Sequence, residues 1–256
     1  MGFEAEEQDV NKLLLEMDPI SLQQLDGVQL LNRVDSKFVF HFKHFPDILK
    51  ELQPHYNVLD IDGRRMFNYE SLYFDTHDYL LYRFHHSGRP NRVKVRYRRY
   101  MDSGLTFFEV KYKVNGLRTD KKRFRESTIF DTLRDREKEL IYHKYLNNDD
   151  LEKKLWIRFK RITLAGKDLP ERATLDLNIC FDNFSKEEGF PQLVIAEVKQ
   201  DKSSVFSPMI QAFKKRHFEQ IGFSKYTTGV ALLEPIKHNA FKPNLIKIKK
   251  ILHGNT

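Results

Sequence analysis

Hydrophobic and polar residues alternate with a period of two along several stretches of the chain, which is the pattern of a β-strand. In the stretch 92–100 one face is basic and carries Arg92, Lys94, Arg96 and Arg98. The opposite face is apolar and carries Val93, Val95 and Tyr97. The stretch 107–113 repeats this arrangement, with Glu109, Lys111 and Lys113 opposite Phe108, Val110 and Tyr112. Both stretches are therefore predicted strands with one charged face and one apolar face.

Turn residues link these strands into an antiparallel meander. Asp102-Ser103-Gly104 separates the first two strands, and Asn115-Gly116 leads into a third that contains Lys121, Arg123 and Arg125. Similar alternation predicts further strands at about 33–42, 66–75, 156–164, 172–179 and 194–199. In 172–179 the pattern sets Arg172, Thr174, Asp176 and Asn178 opposite Ala173, Leu175, Leu177 and Ile179. Eight strands in all suffice to close a barrel.

Helical patterns lie between and after the predicted strands, at about 18–26, 43–52, 76–86, 131–147 and 207–221. The amphipathic, basic stretch NLIKIKKIL near the C-terminus predicts either a packed terminal helix or an element that lies on a membrane surface. We expect an α+β fold, an eight-stranded antiparallel β-barrel with a polar, basic interior and helices packed outside. No repeat or linker divides the chain. We therefore expect one domain over 1–256, with a core at about 31–233, a helical N-terminal segment (1–30) and a basic tail (234–256).

The charged faces of the predicted strands point either to solvent or into the barrel. In an ordinary antiparallel sheet the charged face is solvated and the apolar face is buried. Here charges of nearly one sign recur on neighbouring strands, and like charges directly opposite each other destabilise a sheet. The pattern therefore favours an interior position. Unpaired buried charges are costly, so such an interior must hold water and anions, as a tunnel that binds a polyanion does.

The overall composition agrees with an anionic partner, because 44 Lys and Arg residues outnumber 36 Asp and Glu residues and give a net charge of +8. Cys180 is the single cysteine, which excludes an internal disulfide framework. The sequence contains no secretory signal and no apolar stretch of roughly 18 residues. We expect a soluble, cytoplasmic protein. A membrane-protein partner and the oligomeric state remain open.

Eight segments together resemble a known family over about 31–233: NRVDSKFVF, YESLYFDT, VKVRYRRY, FFEVKYKVNGLRTDKKRF, RFKRITL, ERATLDLNI, VIAEVKQ and FSKYTTG. Their order and spacing resemble the VTC domain, the catalytic domain of the vacuolar transporter chaperone polyphosphate polymerase, in the triphosphate tunnel metalloenzyme (CYTH-like) superfamily. The resemblance implies an eight-stranded tunnel that holds ATP, triphosphate or polyphosphate. It also implies a divalent cofactor, Mn²⁺ or Mg²⁺. Relatives lengthen polyphosphate from ATP, hydrolyse triphosphate or cyclise ATP.

The resemblance also implies roles for individual residues. The residues expected to act on the reacting phosphates are Lys37, Arg96, Arg98, Lys111, Arg161, Arg172 and Lys199. Further phosphate contacts are expected from Arg33, Lys94, Lys121, Arg123, Ser224 and Lys225. Glu197 is the expected metal ligand, and Glu109 and Asp176 are lesser candidates for metal binding or for orienting a basic neighbour. For Ser224 and Lys225, a helix-capping serine beside a solvated lysine is an alternative interpretation.

The first strand departs from the superfamily pattern, and this departure favours the polymerase-like branch. Many tunnel triphosphatases and cyclases carry Glu-x-Glu-x-Lys, where this chain has Arg33-x-Asp35-x-Lys37. The regulatory region and transmembrane segments of the eukaryotic complex are not seen, so we expect a stand-alone prokaryotic type. The expected function is polyphosphate polymerase-like phosphotransfer. Alternatives are an inorganic triphosphatase and a non-catalytic polyphosphate-binding module.

Nucleic-acid binding and zinc binding are not expected. Tyr97, Tyr100, Phe107 and Phe108 interleave with basic residues, as in RNA-binding sheets, but most of them lie opposite the basic face. The ten histidines show no His-x₃-His or Cys-His spacing of the kind that zinc sites use. Hard carboxylate oxygens fit Mg²⁺ or Mn²⁺ better.

Overall fold

A computed structural model describes residues 2–27, 34–115, 118–143, 146–147, 150–201 and 206–254. The strands are β1 (Pro19–Ile20), β2 (Val34–His41), β3 (Tyr56–Leu59), β4 (Phe67–Thr76), β5 (Arg92–Tyr100), β6 (Thr106–Val114), β7 (Arg118–Glu126), β8 (Leu151–Gly166), β9 (Glu171–Asp182), β10 (Glu187–Phe190) and β11 (Leu193–Gln200). The helices are α1 (Gly2–Leu15), α2 (Leu22–Gly27), α3 (Phe45–Leu52), α4 (Leu80–His86), α5 (Asp135–Leu140), α6 (Pro208–Lys215), α7 (Lys225–Leu233) and α8 (Lys242–Leu252). Two predicted features, Arg33 and the Gly116 of the second turn, lie outside the described residues.

The strands form one large sheet, and its long strands are the eight that alternation predicts. Their order is β2-β11-β9-β8-β4-β5-β6-β7, with antiparallel pairing at every step. Three short strands were missed by the sequence interpretation. β10 pairs with β9, β3 pairs with β8, and β1 pairs with β3 in parallel. The expected α+β class with a large antiparallel sheet is confirmed.

The expected closure into a barrel is not confirmed, because β2 and β7 do not pair within the described part of the chain. The free edge of β2 is occupied by the segment that follows α6. Phe38 forms an antiparallel bridge with Gln220, and the Ile221 amide donates to the Lys37 carbonyl at 2.8 Å. These contacts satisfy backbone groups that barrel closure would otherwise use. The sheet therefore curves without a continuous hydrogen-bonded ring.

The apolar faces of the strands pack outward, as the alternation predicts. On one side, Phe38, Phe40, Leu175, Val194 and Ala196 are buried together with residues of α1, α3 and α6. On the other side, β5 and β6 bury Val93, Val95, Tyr97, Phe108 and Val110 beneath Leu133 and Ile141. Burial of these side chains supplies the main driving force for folding. The charged residues between them must point to the opposite, concave face.

A β-bulge reverses the alternation of β9, so the predicted face assignment is wrong beyond Leu177. The register of β8 against β9 shifts between Arg158 and Lys160, and Asn178 has a positive φ of 48°. Asparagine tolerates this left-handed conformation better than most residues. Ile179 therefore joins the apolar cluster under α7 instead of the cluster that contains Leu177. The concave face of β9 changes from polar to apolar at this point.

The helices differ from prediction mainly in length. α5 covers Asp135–Leu140 of the predicted 131–147, because Ile141 continues in an extended conformation and packs into the core of β5 and β6. α8 buries Ile248 and Ile251, so the packed terminal helix is the correct interpretation of the basic tail. Within the described residues, no helix combines the length and the apolar character that crossing a membrane requires.

Gly229 lets α7 lie close against the concave face, and an alanine there is expected to destabilise the protein by about 1–3 kcal/mol. An added Cβ would come within 2.5 Å of Phe181 Cδ1 and 2.6 Å of Leu155 Cδ2, both in the packed core. Urea denaturation measures the change. Gly27→Ala is the matched control, because a Cβ at Gly27 meets no atom within 4 Å. Equal stability of the two variants would contradict the close packing of α7.

Candidate functional site: a basic cavity on the concave face

The concave face of the sheet encloses a cavity with two connected chambers. The inner chamber, about 340 Å³, is lined mainly by charged residues of β2, β5, β6, β7, β8 and β11 and by the start of α7. The outer chamber, about 540 Å³, adds His85 of α4, Arg92, Lys113, Gln220 and Phe241. Lys37, Lys94, Lys111 and Ser224 line both chambers. Because both ends of the strand order contribute, the curved sheet brings distant strands around one space.

Positive charge dominates this cavity. Among the described residues, the lining contains eleven Lys or Arg side chains and three carboxylates, those of Asp35, Glu109 and Glu197. Lys94, Lys111 and Lys121 lie directly opposite one another across β5, β6 and β7. Like charges in such cross-strand positions repel each other. The arrangement is therefore suited to a polyanion, which would neutralise the surplus.

Glu109 orients two of the cations. Arg96 donates to its Oε2 from Nη2 at 2.6 Å and from Nε at 2.9 Å, and Lys121 forms an ion pair with its Oε1. Burial opposes ionisation of Glu109, but Arg96, Arg98 and Lys121 hold its pKa well below the ordinary value. Burial lowers the pKa of Lys121 to about 8. Arg96 also donates to the Tyr73 hydroxyl at 2.6 Å, which fixes its guanidinium in the inner chamber.

Asp176 orients two further cations, in the same way as Glu109, from a position beneath the cavity. Arg161 donates to its two oxygens at 2.6 Å and 2.8 Å, and Lys225 forms an ion pair with it. Only 2% of the Asp176 side chain is exposed. Burial opposes its ionisation, but Arg161 and Lys225 hold its pKa well below the ordinary value. Burial lowers the pKa of Lys225 to about 8 despite the attraction of Asp176. The solvated-lysine interpretation of Lys225 is therefore wrong.

A third group of cations forms no close ion pair with a carboxylate of the described residues, although Glu109 attracts Arg98 from a longer distance. The Nε atom of Arg98 is buried and has no hydrogen-bond acceptor in the structure as described. Burial, then the neighbouring Arg96, lowers the Arg98 pKa. Within the described residues, Lys94 donates to the neutral Ser224 Oγ, at 2.7 Å, and burial and Lys37 depress its pKa strongly. Both side chains line the cavity.

Ser224 caps helix α7 and also contacts a cation of the cavity. It is the N-cap of α7, and its Oγ accepts from the Thr227 amide at 3.4 Å while it also accepts from Lys94. The same residue therefore ends the extended segment, starts α7 and contacts a cation of the site. The helix-capping interpretation of Ser224 is correct, and the expected position at the phosphate site is compatible with it.

Glu197 has longer ion pairs than Glu109 and Asp176. Lys199 lies 3.5 Å away and Lys37 lies 3.9 Å away, and 24% of the Glu197 side chain is exposed. Burial opposes ionisation, but Lys199 and Lys37 outweigh it and lower the pKa of Glu197 to about 2. Glu197 is thus an ionised, hard oxygen ligand whose lone pairs are accessible from the inner chamber.

The sequence of the chain matches a known family. A model of the VTC domain family matches residues 32–234. The chain belongs to the VTC domain family. This match confirms the family resemblance seen in the eight sequence segments. None of the curated proteins compared with this VTC domain matches it.

Several solved structures are similar to this VTC domain at low identity. A candidate adenylyl cyclase from Hippeastrum, described as having a dominant triphosphatase activity, has 11% identity and a TM-score of 0.47, with coverage of 80% of this chain and 100% of that chain. A candidate adenylate cyclase from Vibrio parahaemolyticus has 13% identity and a TM-score of 0.46, covering 79% and 99%. One from Bacillus halodurans has 12% identity and a TM-score of 0.46, covering 76% and 96%. At these values the likenesses support no conclusion about activity.

Most of the predicted site residues of the VTC domain lie together in the cavity. Those that line it are Lys37, Lys94, Arg96, Arg98, Glu109, Lys111, Lys121, Arg161, Glu197, Lys199, Ser224 and Lys225. Of the predicted cations that the structure describes, two are not in the lining. Arg172 lies 3.9 Å from Asp26 of α2, and the exposed Arg123 guanidinium stands 5.0 Å from the Phe107 ring. Alternation placed both on the correct face but could not show where their long side chains turn.

The three predicted metal ligands do not form one cluster. No group of three or more His, Cys, Asp or Glu side chains suited to a metal occurs in the described ranges. Glu109 and Asp176 are occupied by cations, so orienting those neighbours is the role that their contacts support. A divalent metal still fits Glu197, because Mg²⁺ is commonly held by one or two carboxylates together with substrate phosphates and water.

Sequence reasoning missed several lining residues of the VTC domain. Asp35, Arg92 and Lys113 carry the alternation signal and were not assigned to the site, although they line it. Tyr73, Phe223 and Thr119 also line it, but they carry no charge and are therefore not indicated by the alternation of charged residues. His85 reaches the outer chamber from α4, and no pattern along the chain relates that helix to β5 and β6. Tyr97 and Phe108, considered for RNA stacking, are buried on the outer face.

Proposed function

We propose that this VTC domain binds the triphosphate of ATP in the inner chamber and transfers the terminal phosphoryl group to a phosphate chain, so that polyphosphate grows. The observation that carries the proposal is the Arg98 side chain, which lines the inner chamber and whose buried Nε has no acceptor among the described residues. Burying an unpaired charge is costly unless a ligand compensates it. A phosphate oxygen is an ideal partner, because guanidinium groups bind phosphate through charge-assisted hydrogen bonds.

The cations divide into two sets with different tasks in this proposal. Arg96 and Arg161 are held by buried carboxylates and therefore present their remaining N–H groups in fixed directions. Arg98, Lys94 and Lys111 form no ion pair with a carboxylate of the described lining and contribute the surplus positive charge of the chamber. Fixed donors orient the chain, and uncompensated cations supply affinity. Preorganised charge of this kind also stabilises a transition state without reorganisation.

The proposed reaction needs little covalent chemistry from the protein. An oxygen of the acceptor chain's terminal phosphate attacks the γ-phosphorus of ATP, the bond from that phosphorus to the β–γ bridging oxygen breaks, and ADP leaves with the electron pair. The acceptor is one phosphate longer. Negative charge spreads over the oxygens of the transferred group, so positioning and charge stabilisation by Lys and Arg are the main contributions.

Glu197 is the residue that would hold Mn²⁺ or Mg²⁺ together with phosphate oxygens of the bound chain. When bound, such an ion neutralises charge on the phosphates and polarises them. Lys37 and Lys199 flank Glu197 and would contact the same phosphates from either side. The ionised state of Glu197 over the whole physiological pH range agrees with this role.

The direct test incubates the purified protein with ATP and Mn²⁺ and resolves the products on a gel beside a free-phosphate assay. Long polyphosphate is the expected product. Free phosphate without polymer would replace the proposal by a triphosphatase, and no consumption of ATP would leave a binding module. Calorimetric binding of tripolyphosphate separates this last case from a protein that does not recognise phosphate.

Glu197→Gln is expected to lower metal-dependent turnover at least about 100-fold, because the carboxylate that anchors the cation is lost. Without metal, the same variant should bind tripolyphosphate several-fold more tightly, since one negative charge leaves the basic chamber. Turnover with Mn²⁺ and calorimetry in the presence of EDTA measure the two effects.

The control for this variant is Glu187→Gln, which removes an exposed carboxylate of β10 whose partner is Arg158. Both properties should stay at the wild-type level in the control. Full turnover of Glu197→Gln would remove Glu197 from the proposed metal site, whereas unchanged metal-free binding would show that its charge does not face the phosphates.

A further inference from the structure

The outer chamber is lined by a titratable side chain that has no role in the phosphate binding proposed above. His85, on α4, lines this chamber, and its ring lies edge-on to Phe241 at a centroid distance of 5.7 Å. Its Nδ1 atom is buried and has no hydrogen-bond partner in the described structure. Buried polar atoms are nearly always satisfied, so an exception at a cavity wall points to a ligand.

Charged groups from three strands surround this imidazole. They are Lys37 of β2, Arg92 and Lys94 of β5 and Lys113 of β6, and the same chamber is lined by one carboxylate, that of Asp35. Burial and then Lys94, Arg92, Lys113 and Lys37 lower the pKa of His85 to about 2. The imidazole is therefore neutral at physiological pH while the chamber is free of anions.

A phosphate chain in the outer chamber would reverse this environment. Its negative charge would neutralise the surrounding cations, and its oxygens would accept hydrogen bonds from a charged imidazole. Neutral imidazole has one N–H group, whereas imidazolium has two. Histidine is also the side chain whose ordinary pKa permits a change of charge near neutral pH.

We propose that His85 is a proton-linked phosphate contact: it is neutral in the free protein and becomes an imidazolium that donates to a phosphate oxygen once a phosphate chain extends from the inner into the outer chamber. The inference rests on the proposed function, because it takes a phosphate chain as the ligand. It adds a residue outside the basic strands and makes binding of long chains depend on pH. Short chains held by the inner chamber alone do not engage it.

The sign of the dependence follows from linkage. Binding takes up a proton, so affinity for long chains rises as the pH falls. If the pKa of His85 in the complex returns to its ordinary value of about 6.5, affinity should be about tenfold higher at about pH 5.5 than at about pH 8. Protonation of the phosphates themselves acts in the opposite direction, and a variant comparison removes that contribution.

The experiment is metal-free calorimetry with long-chain inorganic polyphosphate at about pH 5.5 and about pH 8, in buffers of different ionisation enthalpy. The proteins are the wild type, His85→Gln and the control His77→Gln, whose imidazole is 95% exposed and outside the cavity. Relative to His85→Gln, the wild type and the control should gain about tenfold in affinity at the lower pH. Near pH 6, the wild type should bind at most about one more proton on complex formation than His85→Gln does. Tripolyphosphate, the short probe, should show no such difference.

Each result decides between the proposals. Polyphosphate binding with the same pH dependence in wild type and His85→Gln would overturn the role of His85 and leave the proposed function intact. Equal proton uptake by the wild type and His85→Gln would do the same by a measurement that is independent of affinity. An equal His85-dependent effect with tripolyphosphate would overturn the dependence on chain length. Failure of the wild type to bind either probe would overturn the proposed function and this inference with it.

Discussion

Arg98→Met is expected to weaken tripolyphosphate binding by about 10- to 100-fold and to stabilise the phosphate-free protein by about 1 kcal/mol. A charge-assisted hydrogen bond contributes about 1.5–3 kcal/mol, which corresponds to this loss of affinity. The gain in stability has a separate cause. Arg98 is half-buried beside Arg96 with no acceptor for its buried Nε, and replacing a poorly compensated charge by an apolar side chain of similar volume is often favourable. Function and stability are thus expected to change in opposite directions.

Arg161→Met is the matched comparison, because Arg161 faces the same chamber but is paired. Its loss leaves Asp176 buried with only Lys225 as a partner, so this variant should lose both affinity and stability. Calorimetry with tripolyphosphate and urea denaturation without it measure the two quantities. Wild-type affinity of Arg98→Met would show that its guanidinium does not contact phosphate. Destabilisation of Arg98→Met by more than about 1 kcal/mol would show that the guanidinium has a structural partner.

Asp176→Asn is expected to lower the free energy of unfolding by about 3 kcal/mol in the absence of phosphate. Removing one member of a buried ion-pair group leaves uncompensated charge in the interior, here on Arg161 and Lys225. Phosphate would then neutralise these two cations, so saturating tripolyphosphate should stabilise the variant more than the wild type. Urea denaturation with and without tripolyphosphate measures both effects.

Glu197→Gln serves as the control for this prediction, because Glu197 is also ionised but is partly exposed and only loosely paired. Its stability should fall by less than that of Asp176→Asn, because its ion pairs are longer and the side chain is partly exposed. The comparison separates two roles for Asp176. A metal ligand would leave stability near the wild-type value and change metal dependence, whereas an internal anion that orients Arg161 and Lys225 would change stability first. Wild-type stability of Asp176→Asn would contradict the second role.

The basic cavity is maintained by cores that lie elsewhere in the molecule. Repulsion between Lys94 and Lys111 opposes folding, and the apolar clusters on the outer face offset it. This division explains why charge on the concave face could be read from sequence. Each strand must bury its apolar side chains outward, and a period of two then forces the alternate positions of β5 and β6 inward.

The same rule fails where strand pairing changes the period. Asn178 has no special signature in the sequence, and only its pairing against β8 creates the bulge that moves Ile179 to the concave face. Closure of the sheet also depends on pairing. The segment at Gln220 takes the edge of β2, and no local pattern relates it to a strand about 180 residues earlier.

The sequence by itself determined the eight long strands, the separation of charged from apolar faces and most of the cations that line the cavity. It did so because side-chain direction in a strand depends on the local backbone alone. Only the tertiary structure decided which cations are paired, as Arg161 is with Asp176, and which keep an unsatisfied donor within the described residues, as Arg98 does. It also placed His85 at the outer chamber. These features depend on contacts between residues far apart in the chain, where distance and burial decide the charge state of each group.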